Sequence, residues 1–226
     1  VVSGAARGIG RALALELADR GCDVALLGRP SGGNEALVSA AEEVVRRGRR
    51  ALVLPCDVRS AEGLEAVATR VLVDLGVPRF VVANAGVVHR VPVLEMTEDQ
   101  WDEVLDVNLK GTFLLARAFL RPMIANGQGR VVAIGSISGT LGTPRLSAYC
   151  ASKWGTVGFV KALAEELRGT GLQAMCVMPG SVDTDMLKGS GFAAAMQPSD
   201  VARVVAFAAL EAPDAMNGSC IEAFGP

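Results

Sequence analysis

Tyr149 and Lys153 form the pair of side chains that best suits proton transfer in this chain. Tyr149 is the only tyrosine, and on a helix a lysine four residues later lies on the same face. A phenol with a pKa of about 10 is a poor acid or base at neutral pH, but a neighbouring cation lowers that pKa. Ser136, thirteen residues before Tyr149, could hydrogen-bond a substrate carbonyl. The pattern indicates general acid/base chemistry, although this tyrosine–lysine spacing alone is also common by chance.

A glycine-rich segment lies between an apolar run and a helical pattern at the start of the chain. Gly4 permits a sharp turn, Gly8 lets the backbone approach a pyrophosphate, and Gly10 lets the helix pack closely on a sheet. The pyrophosphate would then sit on the N–H groups and the positive dipole end of the helix. The spacing predicts a dinucleotide site, but a simple turn between a strand and a helix could use the same glycines.

The end of the second apolar run bears on the choice of cofactor. Sites that select NAD usually place Asp or Glu there to accept the ribose 2′-hydroxyl, whereas this chain has Gly28 followed by Arg29. A guanidinium can bind a 2′-phosphate, and Arg7 could add a second positive charge. We therefore expect NADP(H) to be preferred over NAD(H), the alternative being that both arginines are ordinary surface residues.

Seven short apolar runs alternate with longer helical patterns. Strands are predicted at residues 1–3, 23–27, 51–55, 80–83, 130–135, 173–178 and 219–223. Helices are predicted at residues 10–20, 34–47, 61–75, 97–126, 148–168 and 199–210, with a capping box from Thr97 to Gln100. Continuously apolar strands and strict alternation predict a doubly wound α/β (Rossmann) fold. Its parallel seven-stranded sheet would carry helices on both faces, and residues 1–226 would form one domain.

Six motifs follow one another along the chain: Ser3–Gly10, Asp57-Val58, Asn84-Ala85-Gly86, Asn108, Ser136 with Tyr149 and Lys153, and Pro179–Thr184. In their order and spacing, these motifs resemble the short-chain dehydrogenase/reductase family over almost the whole chain. The likeness is to its compact single-domain branch, which includes 3-oxoacyl-carrier-protein reductases. Ser3 stands where the family usually has Thr. The resemblance and the glycine loop together predict these cofactor-binding residues: Ser3, Gly4, Arg7, Gly8, Ile9, Gly10, Arg29, Asp57, Val58, Asn84, Ala85, Gly86, Tyr149, Lys153, Pro179, Gly180, Val182 and Thr184.

The resemblance implies catalytic roles for Asn108, Ser136, Tyr149 and Lys153. Tyr149 would exchange a proton with the substrate oxygen, which Ser136 would orient. Lys153 would hold the nicotinamide ribose and lower the pKa of Tyr149, and Asn108 would hold a helix kink and a relay water. The implied activity is NADP(H)-dependent hydride transfer to or from a small or acyl-type ketone or secondary alcohol.

Two other functions remain open on the sequence. One is an NAD-dependent alcohol dehydrogenase of the same family. The other is a non-catalytic dinucleotide-binding regulator, which would be expected to lack the tyrosine or the lysine.

Four residues are candidates for contact with the substrate: His89, Ser138, Met186 and Phe192. His89 and Arg90 follow the Asn-Ala-Gly motif and could line the substrate mouth or be solvated. Residues 185–197 could form a flap over an apolar pocket or a plain surface loop. Phe224 stands where the family usually has an acid near a subunit contact. A single histidine and scattered cysteines predict no metal site.

Composition narrows the class of partner. The counts of 22 Lys+Arg and 24 Asp+Glu give a net charge of −2 and exclude a strongly basic nucleic-acid binder. The apolar fraction of 50% excludes disorder, and no apolar run is long enough for a membrane span. Five scattered cysteines and no recognisable signal sequence predict a cytoplasmic protein, with a few residues missing before Val1. We expect a small-molecule or acyl substrate, a homo-oligomer that is a tetramer rather than a dimer, and packing roles for Trp101 and Trp154.

Overall fold

The computed structural model describes residues 1–30 and 34–225 and contains a seven-stranded parallel sheet. Its strands are β1 Val2–Ser3, β2 Val24–Gly28, β3 Ala51–Pro55, β4 Phe80–Ala83, β5 Gly129–Ile134, β6 Leu172–Pro179 and β7 Cys220–Ala223. They lie in the order β3-β2-β1-β4-β5-β6-β7, and every neighbouring pair is parallel. The predicted sheet is confirmed, with strand ends shifted by at most one residue.

In the part of the chain that the structure describes, seven α-helices lie between the strands. They are α1 Gly8–Asp19, α2 Glu35–Arg46, α3 Ala61–Asp74, α4 Glu98–Leu105, α5 Gly111–Asn126, α6 Ser147–Glu166 and α7 Pro198–Leu210. The prediction of one helix over residues 97–126 is wrong, because the π-helical turn Asp106–Lys110 separates α4 from α5. The capping box at Thr97 and Gln100 is present at the start of α4.

The sheet has a hydrophobic core on each face. Leu26 of β2 belongs to the core that α1, α2 and α7 cover on one face, while its neighbour Leu27 belongs to the core that α3, α5 and α6 cover on the other. Both leucines are fully buried. Successive side chains of a strand point to opposite faces, so a sheet covered on both sides needs continuously apolar strands. This arrangement is the doubly wound fold that the sequence predicts.

The connections reverse between β1 and β4. From β1 the chain runs outward through β2 and β3, then returns to place β4 on the other side of β1, where Val2 faces Val82. In doubly wound sheets the crevice at such a reversal, at the carboxyl ends of the strands, receives the ligand. The loops after β1, β4, β5 and β6 therefore surround one candidate site.

Two tryptophans depart from the expected packing. Trp101 is 41% exposed and Trp154 is 54% exposed, so neither is a core residue in the described chain. The sheet faces are filled instead by aliphatic and sulfur-containing side chains, together with Phe80 and Phe119. Within the described residues, no helix is both long and apolar enough to cross a membrane.

Candidate active site

The loop after β1, from Gly4 to Gly10, forms a glycine cradle whose backbone geometry only glycine allows. Gly4 and Gly8 have φ angles of +65° and +53°, which L side chains rarely adopt. A Cβ atom at Gly10 would lie 2.2 Å from the carbonyl oxygen of Gly4, and one at Gly8 would lie 3.3 Å from Cγ2 of Thr184. Helix α1 begins at Gly8 with no side-chain cap and no acid in its first turn. Backbone N–H groups and the positive helix end therefore face this space, which fits a dinucleotide pyrophosphate.

Ser3 and Asn84 join the cradle to the loop after β4. The hydroxyl oxygen of Ser3 accepts the backbone N–H groups of Asn84 at 3.0 Å and Ala85 at 3.1 Å. The side-chain amide of Asn84 donates to the Ser3 carbonyl at 2.9 Å and to the Gly4 carbonyl at 3.3 Å. These two predicted cofactor residues therefore fix the shape of the cradle.

Arg29 lies at the end of β2 beside an acid that the sequence did not reveal. Its Nη1 atom is 3.6 Å from Oε1 of Glu103 in α4. The other oxygen of Glu103 lies 2.8 Å from Nε2 of His89. His89, a substrate candidate, is therefore paired with an acid that also contacts the cofactor candidate Arg29. Nothing in the local sequence indicates that Glu103 contacts Arg29 and His89, because α4 and the segments after β2 and β4 meet only in the folded chain.

Arg7 and Asp57 also form ion pairs with oppositely charged side chains. Nη1 of Arg7 lies 3.5 Å from Oδ2 of Asp185, at the start of residues 185–197, so Arg7 and Arg29 pair with different acids. Asp57 and Arg59 form an ion pair at 2.6 Å, and the hydrogen bonds from Arg59 lower the pKa of the Asp57 carboxyl. Val58 is buried, and its side chain is so close to Gly111 that a Cβ there would meet it at 2.7 Å.

Lys153 lies beneath Tyr149 in α6. Its Nζ atom is 5.6 Å from the centre of the Tyr149 ring and donates to the Ile134 carbonyl of β5 at 2.7 Å. Burial lowers the pKa of Lys153 to about 8. The ammonium is thus still charged at neutral pH, in contact with the strand that leads to Ser136.

Ser136 interacts with the backbone of Ser138 and with the side chain of Tyr149. Its oxygen accepts the N–H of Ser138 at 3.1 Å. Burial raises the pKa of Tyr149, while a hydrogen bond with Ser136 and the positive charge of Arg90 act to lower that pKa. The lowering that we expected from Lys153 therefore comes from Ser136 and Arg90, and burial outweighs it. Ser136, Tyr149 and Lys153 nevertheless meet as their spacing predicts.

Asn108 lies within the π-helical turn. Its Oδ1 accepts the N–H of Val87 at 2.8 Å, and its Nδ2 donates to the Val87 carbonyl and to the hydroxyl of Ser152, both at 3.0 Å. Its own carbonyl accepts the hydroxyl of Thr112 at 2.7 Å. Asn108 thus fastens the loop after β4 to α6 next to Lys153. The geometry is that of a positioning residue.

Residues 181–197 cover one side of the crevice. Met186 lies in a short 3-10 helix, Asp185–Leu187, and its carbonyl accepts Nη2 of Arg90 at 2.5 Å. Val182 and Met196 form an isolated bridge that joins the two ends of the segment. Phe192 is 60% exposed, whereas Ser138 is buried beside Ser136. Of the substrate candidates, Ser138 and Met186 thus lie nearest the reacting groups that the sequence predicts.

The loop after β6 continues into this segment. The N–H of Gly180, which follows Pro179, donates to the Ala223 carbonyl at 2.8 Å. Phe224 lies against Gly180, since a Cβ there would be 3.4 Å from the Phe224 ring. The predicted cofactor residues of this loop are therefore braced by the end of β7.

Residues 1–193 match the family model described as short chain dehydrogenase. This chain belongs to the short-chain dehydrogenase family. The family uses nicotinamide dinucleotide cofactors, and the glycine cradle fits the pyrophosphate of such a cofactor. In the described residues, no cluster of histidine, cysteine and acidic side chains could hold a metal ion.

Curated relatives include reductases. The chain is 31% identical to the 3-oxoacyl-[acyl-carrier-protein] reductase of Staphylococcus aureus strain Mu50, covering 100% of this chain and 96% of that protein. It is 34% identical to the enzyme of the same name from Escherichia coli K12, over 83% of this chain and 75% of that protein. It is also 37% identical to a short-chain dehydrogenase/reductase of Hericium erinaceus, over 84% of this chain and 76% of that protein.

Solved short-chain dehydrogenases share the whole fold. A short-chain type dehydrogenase/reductase from Mycobacterium marinum superposes with a TM-score of 0.93 at 28% identity, covering 99% of this chain and 92% of that chain. Acetoin dehydrogenase YohF from Salmonella typhimurium superposes with a TM-score of 0.89 at 27% identity, covering 99% and 93%. These likenesses agree with the seven-stranded topology described above.

Proposed function

We propose that this short-chain dehydrogenase is an NADP(H)-dependent reductase of ketones that also oxidises the corresponding secondary alcohols. The observation that carries the proposal is the convergence of Ser136, Tyr149 and Lys153 at the end of β5, beside the glycine cradle. The relatives named as 3-oxoacyl reductases and as acetoin dehydrogenase support a ketone or hydroxyketone, small or acyl-type, as the substrate class.

Each catalytic group has a defined task in this proposal. When bound, the cofactor supplies or accepts the hydride. Tyr149, whose pKa is raised by burial, is protonated at neutral pH and donates its proton to the carbonyl oxygen during reduction. Ser136 hydrogen-bonds the same oxygen and orients it. Ser136 and the positive charge of Arg90 stabilise the phenolate that remains. The ammonium of Lys153, which is 5.6 Å from the centre of the Tyr149 ring, binds the ribose.

The preference for NADP(H) rests on the end of β2. Gly28 supplies no carboxylate to accept a 2′-hydroxyl, and Arg29 supplies a cation for a 2′-phosphate. Glu103 competes for that cation, but the Arg29 side chain is 52% exposed and the separation is 3.6 Å. An exposed ion pair contributes only about 0–1 kcal/mol, so a doubly charged phosphate can displace the acid.

The test is turnover of a panel of ketones with NADPH and with NADH, followed by the loss of reduced-nicotinamide absorbance. We expect oxidation of NADPH that depends on the ketone and is much slower with NADH. A protein that binds both reduced cofactors yet turns over no ketone or aldehyde would instead be a dinucleotide-binding regulator. Faster turnover with NADH would make it an NAD-dependent dehydrogenase of the same family.

We also propose a homo-oligomer, a tetramer rather than a dimer. Phe113 of α5 and Trp154 of α6 are 40% and 54% exposed, and Phe113 contacts Phe159 edge to face. Exposed aromatic groups on neighbouring helices favour a protein–protein contact. Light scattering at micromolar concentration should give a multiple of the chain mass, 23.4 kDa, and Trp154→Glu should reduce it. A monomer mass for the unmodified chain would refute the proposal.

A further inference from the structure

Two arginines near the proposed site, Arg90 and Arg145, have no acidic partner among residues 1–30 and 34–225. Arg90 follows the Asn-Ala-Gly motif after β4, and Arg145 precedes α6. Both donate to backbone carbonyls, and in the described chain neither lies within 4.0 Å of a carboxylate oxygen. Most arginines of this protein pair with Asp or Glu, as Arg7, Arg29 and Arg59 do. The mouth therefore carries uncompensated positive charge.

The two arginines are held together by their backbones. Nη2 of Arg145 donates to the Arg90 carbonyl at 3.2 Å, and the N–H of Val91 donates to the Arg145 carbonyl at 3.0 Å. Arg145 has a φ angle of +65° and is the one non-glycine residue with positive φ in the described chain. Such a backbone is rarely adopted by L side chains and often occurs at functional sites. The pairing keeps the loop after β4 against the segment that leads to Tyr149.

The guanidinium of Arg90 lies between the 3-10 helix of residues 185–187 and Tyr149. One end, Nη2, is bound to the Met186 carbonyl at 2.5 Å. Its Nε is buried and has no hydrogen-bond partner. Buried donors are normally satisfied, so this N–H calls for an acceptor. Arg90 is also close enough to Tyr149 for its charge to favour the phenolate.

We propose that the substrate is an oxo acid whose carboxylate is bound by Arg90, with Arg145 at the rim. This inference rests on the proposed ketone reduction, in which hydride adds to the carbonyl carbon and Tyr149 donates the proton. The carboxylate itself does not react, and the product is the hydroxy acid. The Arg90 guanidinium donates to one carboxylate oxygen while Nη2 stays on the Met186 carbonyl, so substrate binding also holds residues 185–187 in place. A charged guanidinium prefers a carboxylate to a neutral carbonyl, which makes Arg90 a specificity-determining residue.

The test compares matched substrates in matched variants. Acetoacetate, 2-oxobutanoate and levulinate are reduced in parallel with ethyl acetoacetate and 2-pentanone, which have no carboxylate. We expect the best acid to exceed 2-pentanone in kcat/KM by at least about tenfold in the unmodified protein. Arg90→Met should bring this ratio of kcat/KM values to about one, mainly by raising KM for the acid. Arg90→Lys should restore part of the preference for the acid. Arg70→Met, on the outer surface of α3, serves as the control and should leave the ratio unchanged.

Binding without turnover provides a second measurement. Butanoate, which cannot be reduced, is titrated calorimetrically into the protein with and without NADP+, and Arg90→Met should weaken its binding at least about tenfold. The inference is overturned if neutral ketones equal the acids, if Arg90→Met lowers acids and ketones alike, or if the unmodified protein does not bind butanoate. Failure to reduce any ketone while butanoate binds through Arg90 would instead overturn the proposed reaction.

Discussion

At the residue scale, Tyr149 is subject to two opposing influences. Burial favours the neutral phenol, whereas Ser136 and Arg90 favour the phenolate. The balance leaves a proton on the hydroxyl at neutral pH and also provides groups that stabilise the anion once the proton has left. Both features suit a proton donor in carbonyl reduction more than a permanent base.

Tyr149→Phe should therefore abolish turnover and leave cofactor binding nearly unchanged, because the ring is kept and only the proton donor is lost. The measurements are kcat/KM with NADPH and a ketone, and the Kd for NADPH from fluorescence. Retention of more than about a tenth of the activity would show that another group donates the proton. Val157→Ala, two turns further along α6, provides a comparison for general damage to the helix.

Cofactor choice is tested at Arg29 and Glu103. Arg29→Gln should lower kcat/KM for NADPH by about tenfold or more and leave NADH almost unaffected, since only the former has a 2′-phosphate. Glu103→Gln should raise kcat/KM for NADPH, because a competing negative charge beside Arg29 is removed. The double change Gly28→Asp with Arg29→Leu should invert the preference, although a Cβ at Gly28 would lie 3.3 Å from Leu37 and must displace it. Equal use of both cofactors by the unmodified protein would contradict the assignment.

The sequence predicts which residues lie together when they share a helix or follow neighbouring strands. It does not predict contacts between segments that are distant in the chain. Tyr149 and Lys153 share a helix, so their proximity follows from their spacing. The pairing of His89 with Glu103, and of Arg7 with Asp185, joins segments whose relative positions depend on the whole fold. Local residue types do not specify such approaches, which is why these partners are visible only in the structure.

At the scale of elements, the π-helical turn between α4 and α5 determines how Asn108 is used. An α-helix would run through residues 97–126, whereas the turn widens the helix at Asp106–Lys110. Asn108 lies inside this turn and bonds both backbone groups of Val87. Such turns are often found at functional sites. The apolar pattern continues across it, so periodicity predicts one continuous helix, and only the family resemblance implies the kink at Asn108.

Asn108→Ala should destabilise the protein by about 1–3 kcal/mol, because the buried backbone groups of Val87 lose their partners. It should also lower kcat, since the loop after β4 and α6 are no longer fastened together. Urea unfolding and steady-state kinetics measure the two effects. Asp106→Asn in the same turn is the control, since its contact with Lys110 is exposed and should contribute little. Unchanged stability in Asn108→Ala would contradict the positioning role.

At the scale of the whole molecule, the doubly wound fold could be predicted because the strands are buried on both faces. Leu26 and Leu27 illustrate this, as each fills a different core. The same reasoning could not place Trp154, since an apolar side chain on a helix indicates burial without saying whether the sheet or another subunit covers it. The parallel, doubly wound arrangement followed from the alternation of strands and helices, whereas the cover of the outer helix surfaces did not.

The buried ammonium of Lys153 should make folding stability depend on pH. Its pKa is about 8 in the folded protein and 10.5 ordinarily, so between these values the unfolded chain binds more protons. The free energy of unfolding should therefore gain a contribution that rises with pH from about 8 to about 10.5. Urea unfolding of the unmodified protein and of Lys153→Met across this range measures it. If the two curves run parallel, Lys153 titrates normally in the folded state.

The bridge between Val182 and Met196 makes the segment between them a closed loop with its ends tied. Besides the bridge, the N–H of Asp183 donates to the Met196 carbonyl at 2.9 Å, and the N–H of Ala195 donates to the Ser181 carbonyl at 3.0 Å. Doubling the length of such a loop costs only about 0.6 kcal/mol in closure entropy. The hydrogen bonds at its two ends keep the flanking residues in place. The sequence and length of this segment can therefore change without moving the residues at its two ends. Its tip can be lengthened or rewritten during evolution or engineering while the sheet that holds Ser136 keeps its register.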